Sequence, residues 1–371
     1  MVAAEADMKK RKDTADYRRI FLEDVPLFDV RAPVEFGRGS VPSAVNLPLM
    51  MDGEREAVGI TYKNEGQDAA IKKGHALVQG AGKTARIVKW AAFADAHPEG
   101  YLFCMRGGLR SQISQRWMGE AGKPYPLVSG GYRALRRFLI EEFERLVAKR
   151  DFIVVAGRTG VGKTDFLGLV DNSIDLEGLA NHRGSSFGRR LGDQPTQINF
   201  ENALSVQLMK LDSRFEGPLF LEDESRRIGG LEIPLALADK MAEAPALLVE
   251  EPLEARVDII QRDYVTLLNQ EYRELLGDEG FSEYSAFLIA ALTRIKKRLG
   301  GARYVEIAGL MQQALTHQKE TGSEAAHRDW IRHLLVDYYD PMYEYQLKNK
   351  PRKTLFSGSR ADAVGWVTAN R

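Results

Sequence analysis

Short apolar runs alternate with amphipathic stretches through the first half of the chain. Residues 25–30 read as a strand that ends in Asp29-Val30-Arg31, and 44–49 as a second extended piece bounded by Pro42 and Pro48. Residues 87–96 carry apolar positions at helical spacing until His97-Pro98 breaks the pattern. Residues 101–103 form a brief strand running into Cys104, 111–118 a helix, and 126–128 a last strand before Gly130-Gly131. Strands alternating with helices predict a parallel α/β layer. Over 132–150, Leu135, Phe138, Leu139, Phe143 and Leu146 fall on one helical face. The run 152–156 then opens a second α/β unit, 165–170 continues as a helix, and 218–221 repeats the buried-strand pattern. Beyond Leu253 the spacing is helical almost to the end. The expected organisation is a tail (1–16), an α/β domain (17–131), a linker helix (132–150), a second α/β domain (151–275) and a helical C-terminal region (276–371).

Composition narrows the class. With 44% hydrophobic and 28% charged residues, the bulk of the 371-residue chain can bury folded cores. A single cysteine excludes an intramolecular disulfide framework. No apolar run approaches the ~18–20 residues that span a bilayer, so no membrane association is expected. No apolar stretch follows Lys9, Lys10, Arg11 and Lys12, which argues against a signal peptide and for a cytoplasmic protein. The 52 basic residues balance 52 acidic ones, so attraction of a polyanion must come from local patches. Two are candidates: Arg133, Arg136 and Arg137 on the linker helix, and Lys348, Lys350, Arg352 and Lys353 in the tail.

The loop Cys104-Met105-Arg106-Gly107-Gly108-Leu109-Arg110-Ser111 lies between a strand and a helix. A lone Cys is most often a small buried hydrophobe, a role that needs neither paired glycines nor flanking arginines. Gly107 and Gly108 allow several backbone N–H groups to face one point, and the following helix adds its positive end. With Arg106 and Arg110, the loop can lower a thiol pKa and hold a persulfide, a perselenide or a phosphate-type oxyanion.

The stretch Gly157-Arg158-Thr159-Gly160-Val161-Gly162-Lys163-Thr164 fits G-x-x-x-x-G-K-[ST] between a strand and a helix, the pattern of a P-loop. Gly157, Thr159, Gly160 and Gly162 shape the loop, Lys163 adds a point charge, and Thr164 can hold Mg²⁺. Glu222 and Asp223, ending an apolar run, are candidates to hold Mg²⁺ through water, with solvated loop charges as the plain alternative. Arg183, in the glycine-rich segment 182–188, is a candidate second phosphate contact. The six histidines show no metal spacing with the cysteine, so no intrinsic metal site is expected. The pattern specifies a di- or triphosphate and leaves open which one.

Asp29-Val30-Arg31, Glu35, Gly39, Ala44-Val45-Asn46-Leu47-Pro48, the Cys104 loop and Ser129-Gly130-Gly131-Tyr132 occur in the order found in the rhodanese (sulfurtransferase) family, which residues 17–132 resemble. The resemblance implies a rhodanese-like α/β domain followed by the P-loop α/β domain, and gives Asp29 and Arg31 a structural role. With residues 157–164, 175–188, 222–229 and Tyr338-Tyr339-Asp340-Pro341-Met342-Tyr343, residues 17–346 are similar to the tRNA 2-selenouridine synthase family. That implies a transferase whose partner is tRNA with 2-thiouridine at the wobble position. By the same resemblance, geranyl diphosphate would alkylate the sulfur, and selenophosphate would then replace the S-geranyl group with selenium. It also implies Cys104 accepting or positioning selenium, a selenophosphate-supplying enzyme as a further partner, and phosphate contacts from the two basic patches. Tyr338, Tyr339 and Tyr343 become candidates to stack a splayed base. The competing readings are a rhodanese-type sulfurtransferase with a nucleotide-binding regulatory domain, and a nucleotide-driven binding module whose first domain is a docking surface.

Overall fold

The computed structural model describes residues 11–349 and 352–370; Lys350 and residues 1–10 of the expected tail lie outside them. The chain forms two compact units, one of residues 1–145 and 196–210 and the other of 146–195 and 211–371. The amphipathic helix Gly131–Lys149 and a second helix, Gln197–Arg214, each begin in the first unit and end in the second. No helix among the described residues is long and apolar enough to cross a membrane.

The first unit is built on a three-stranded parallel sheet in the order β2–β1–β3, with β1 Leu27–Asp29, β2 Ala44–Asn46 and β3 Tyr101–Phe103. Phe28, Leu102, Trp90 and Trp117 lie in its core, and Cys104 is part of the same cluster. The expected strand at 126–128 reduces to single bridges, Leu127 to Leu102 and Val128 to Thr14. Thr14 thereby ties residues at the end of the expected tail to the sheet. Helices Asp52–Glu65 and Gln67–Leu77 follow β2 as a hairpin that the apolar pattern does not announce. The first of them buries no side chain, so it lacks the core-facing stripe that identifies a helix from sequence.

The second unit holds an all-parallel sheet in the order β10–β9–β4–β6–β5, composed of β4 Phe152–Ala156, β5 Ser173–Ile174, β6 Leu219–Glu222, β9 Ala246–Val249 and β10 Thr354–Gly358. A small antiparallel hairpin, β7 Arg227–Ile228 with β8 Leu231–Glu232, stands apart from it. The β-branched Ile153, Val154 and Val155 suit a central strand covered on both faces, and all are buried. Within the region expected to be helical almost to the end, residues 354–358 instead form β10, an edge strand of the sheet. The helical region has its own core around Tyr284, Leu288, Ile307 and Trp330. Its helices are interrupted by two π-helical turns, Arg262–Leu267 and Leu335–Tyr339.

Candidate functional site

In the first unit, a buried relay of charges sets the cysteine loop. Arg31 donates from Nε to Asp29 Oδ2 at 2.6 Å and from its other nitrogens to the carbonyls of Glu35 and Gly39, with both members of the pair almost fully buried. Asn46 donates to the carbonyls of Asp29 and Arg31. Glu35 receives the Ala32 N–H and both terminal nitrogens of Arg110, at 2.5 and 3.2 Å. Burial raises the Glu35 carboxyl, but the hydrogen bond and charge of Arg110 outweigh that and hold it below the usual range. So Asp29 and Arg31 fix strand ends, and Glu35 carries that order to Arg110.

Gly131 lies directly on the cysteine loop: a Cβ there would stand 2.2 Å from the Cys104 carbonyl, and the backbone φ is +59°. Only glycine fits. The N–H groups of Tyr132 and Arg133 close the contact by donating to the carbonyls of Cys104 and Met105. Cys104 is 3% exposed, with Sγ 3.1 Å from Ser111 Oγ. The backbone N–H groups of residues 106–111 donate to no protein group among the described residues. Gly107 adopts φ +65°, and the helix Leu109–Glu120 starts within this run of free donors. These are the elements of an anion nest at a helix N-terminus. Arg106 is exposed and makes no ion pair or hydrogen bond with the described residues. The thiol forms part of the lining of a cavity of about 800 Å³.

In the second unit, the phosphate loop connects the carboxyl end of β4 to the helix Lys163–Leu167. Gly162 adopts φ +76° before it, a backbone state that favours glycine. Arg256, 2% exposed, holds the loop from behind by donating Nε to the Thr159 carbonyl at 2.9 Å and both terminal nitrogens to Asp340. The Tyr-Tyr-Asp-Pro stretch is thereby an anchor for the loop. Sequence reasoning missed Arg256, which lies 97 residues from Thr159 and carries no local signal. Lys163 donates only a long contact, 3.4 Å, to the Gly157 carbonyl and has no ion pair among the described residues.

The cavity beside the loop is about 940 Å³ and gathers residues from the carboxyl ends of parallel strands, where ligands of open α/β sheets bind. Thr164 Oγ1 stands 3.4 Å from Glu177 Oε2. Burial and the charge of Glu177 push Glu224 up to about 8, and burial likewise raises Glu177. Arg183 and Arg190 form part of the lining. The two π-turns contribute Arg262, Asp263, Tyr264 and Leu267 on one side and Tyr338 and Tyr339 on the other. Such turns recur at functional sites because they re-aim side chains.

A family model described as "tRNA 2-selenouridine synthase AAA domain" matches residues 150–371. Proteins named tRNA 2-selenouridine synthase from Marinobacter nauticus, Cupriavidus pinatubonensis and Pseudomonas aeruginosa are similar over nearly all of the chain. The first is 52% identical over 97% of this chain and 98% of its own length. The other two are 50% identical over 96% of this chain, and over 98% and 97% of theirs. The chain belongs to the tRNA 2-selenouridine synthase family. It is an enzyme of that kind, with the mixed α/β architecture, phosphate loop and helical C-terminal part expected of it.

Within this family member, the structure redistributes several expected roles. Cys104, Gly108 and Arg110 share one cavity with the exposed Arg106, and Gly107 shapes the same loop at φ +65°. Gly157, Thr159, Gly160, Gly162, Lys163, Thr164 and Arg183 share the second cavity, and Arg183 is held there by the Asp263 carbonyl and the Tyr264 ring. Glu222 is corrected as a metal-linked acid: it is fully buried, and burial with the charges of Asp175 and Glu177 raises its carboxyl well above the usual range. Its Oε2 accepts the Leu176 N–H. Asp223 is instead paired with Arg352 at 2.5 Å. Glu177 and Glu224 line the phosphate-loop cavity as well, beside Asp223 with its arginine partner. Both stand in segments the sequence singles out, but only the topology decides which members point inward.

The basic patches also change. Arg352 faces the phosphate cavity and is no free tail residue. Arg136 is bound to Glu201 and Asn202, whereas Arg133, Lys348, Lys353 and Arg137, the last paired with Glu141 at the surface, are exposed. Tyr338 and Tyr339 are buried in the helical core at the cavity wall, the ordinary packing alternative to a base platform.

Proposed function

We propose that the chain converts wobble 2-thiouridine of tRNA to 2-selenouridine in two exchanges, one at each cavity. In the first, the 2-thio sulfur bonds to the allylic carbon of geranyl diphosphate as the carbon–oxygen bond breaks and pyrophosphate leaves. Lys163 and the phosphate-loop amides stabilise the departing charge. Two crowded carboxylates beside Thr164, one of them held up to about 8, fit a divalent cation. Thr164, Glu177 and Glu224 would hold Mg²⁺, which supplies further charge neutralisation for the diphosphate when bound. Among the described residues, no group of three or more His, Cys, Asp or Glu side chains has metal-binding geometry, so the ligand phosphates would complete the set.

In the second exchange, the selenium of selenophosphate bonds to C2 of the base as the C2–sulfur bond breaks. The sulfur leaves with the electron pair, takes a proton and departs as geranylthiol; water then cleaves the selenium–phosphorus bond to release phosphate. The free N–H groups of residues 106–111 suit the phosphate moiety, with Cys104 and Arg110 beside it. Alkylation serves this step because the unalkylated sulfur would have to be expelled as sulfide, whereas the S-geranyl sulfur leaves as a thiolate that protonation turns into a neutral thiol. The observation that carries the reading is one chain with a thiol in an anion nest and a separate diphosphate cradle, in a member of this family. Mass spectrometry of 2-thio-tRNA tests it. Geranyl diphosphate alone should yield the S-geranyl nucleoside, and addition of selenophosphate should yield 2-selenouridine. Selenium incorporation with thio-tRNA that never passes through the S-geranyl species would overturn the order, and sulfur transfer dependent on ATP or GTP would favour a regulated sulfurtransferase.

A further inference from the structure

The cavity over Cys104 is far larger and more apolar than selenophosphate needs. Cavities of about 300–1,000 Å³ hold drug-sized ligands, and this one of about 800 Å³ stands over a nest sized for a single tetrahedral anion. Its charged groups, Arg55, Arg106, Arg110 and Lys63 with Glu35 and Glu56, share the lining with hydrocarbon walls: Val58 and Ile60 from one helix of the hairpin, Ile71 from the other, Ile113 and Trp117 from the helix after the loop. Ile60 and Tyr62, also in the lining, are 55% and 59% exposed, and Leu109 is 46% exposed. Apolar side chains left open beside a nucleophile's cavity mark a surface that is covered by something apolar in the working state.

We infer that this cavity receives the prenyl chain of the S-prenylated base during selenium exchange. The inference rests on the proposed S-geranyl intermediate and deepens it: the chain made at the phosphate loop is recognised a second time at the thiol. The occupant's chemistry matches the site end for end. A polar reacting centre meets the free amides and arginines, and a hydrocarbon tail meets the apolar walls. The fit gives the chain two uses. It orients C2 of the base against the selenium donor, and it excludes water, which would otherwise attack the activated C2 and give uridine.

The test supplies preformed S-geranyl and S-methyl 2-thiouridine, each in the same tRNA anticodon stem-loop, with selenophosphate to the full-length protein. Selenation kcat/KM should be at least tenfold higher for S-geranyl. Gly59 lines the cavity, and a Cβ there meets no atom within 4 Å, so Gly59→Phe starts its side chain in open space at the cavity wall. The S-geranyl to S-methyl ratio should then fall at least tenfold; taking the ratio within one protein cancels any loss of folded enzyme. More uridine by-product is expected from S-methyl than from S-geranyl. Equal selenation of both substrates by the unaltered protein, or an unchanged ratio in Gly59→Phe, would overturn the inference while leaving the two-exchange reading intact. Failure to selenate either alkylated substrate, with 2-thio-tRNA still converted, would remove both.

Discussion

Two loops in this protein follow parallel strands in the same way, strand into glycine-rich loop into helix, yet their charges are settled differently. Around Cys104 most charges are paired in advance, Asp29 with Arg31 and Glu35 with Arg110 and Arg55, while Arg106 has no ion pair among the described residues. Around Lys163 the balance is more open: among the described residues neither Lys163 nor Arg190 has an ion pair, and Glu177 and Glu224 crowd one another. The first arrangement is preorganised and needs only a small donor. The second is completed by a ligand that brings both anion and cation. A phosphate cradle can afford incomplete charges because its ligand is large, strongly charged and leaves after each turnover.

Separating the two loops by mutation should give the largest effects. Cys104→Ala should lower selenation of preformed S-geranyl RNA on the order of a thousandfold or more, with geranylation still measurable. Lys163→Ala should lower geranyl transfer by about 10²–10³, the usual cost of one oxyanion-stabilising donor, with selenation of preformed S-geranyl RNA far less affected. Both rates are read by nucleoside mass spectrometry. If either substitution lowered both reactions by the same factor, the two loops would be one site in function.

The same contrast explains what could be read from the sequence. The phosphate loop is local: eight consecutive residues carry the strand end, the glycines, Lys163 and Thr164, so periodicity and spacing suffice. The cysteine loop is local too, and its Gly-Gly and arginines announce it. What supports each loop is not local. Arg256 reaches Thr159 and Asp340 only because the fold brings three distant segments together. Glu177 and Glu224 meet because β5 and β6 are neighbours in the sheet, a pairing no spacing encodes. Arg352 reads as part of a solvated basic tail, since its neighbours are lysines, but the edge strand β10 begins just beyond it and turns it toward Asp223. The hairpin helices of residues 52–77 escaped notice because their apolar residues face a cavity and solvent in place of a core.

Stability should divide along the same line, with smaller effects. Arg31→Met leaves Asp29 buried without its cation and should destabilise the first unit by about 3–5 kcal/mol. Tryptophan fluorescence during denaturant unfolding reports it, because Trp90 and Trp117 lie in that unit's core. Lys163→Ala breaks no ion pair and should stay within about 0.5 kcal/mol. A large loss from the lysine substitution would mean that its charge is already used by the fold, and the difference between a closed and an open charge balance would disappear.

The smallest effect is a pH dependence confined to the second unit. In chelator-treated protein, burial and Glu177 hold Glu224 up to about 8, above the ordinary 4.5. A carboxyl raised in the folded state contributes stability that is complete below its unfolded pKa and is lost as pH rises through the folded value. Between pH 7 and pH 8 that loss should be about 1 kcal/mol, seen as a falling midpoint for the second unit's unfolding. Glu224→Gln stays neutral and should flatten this slope. Mg²⁺ with pyrophosphate should oppose the decline, since the charged carboxylate that the apo site resists is the form a cation holds. If the unaltered protein and Glu224→Gln show the same slope, Glu224 is already ionised at neutral pH, and the second cavity is as internally balanced as the first.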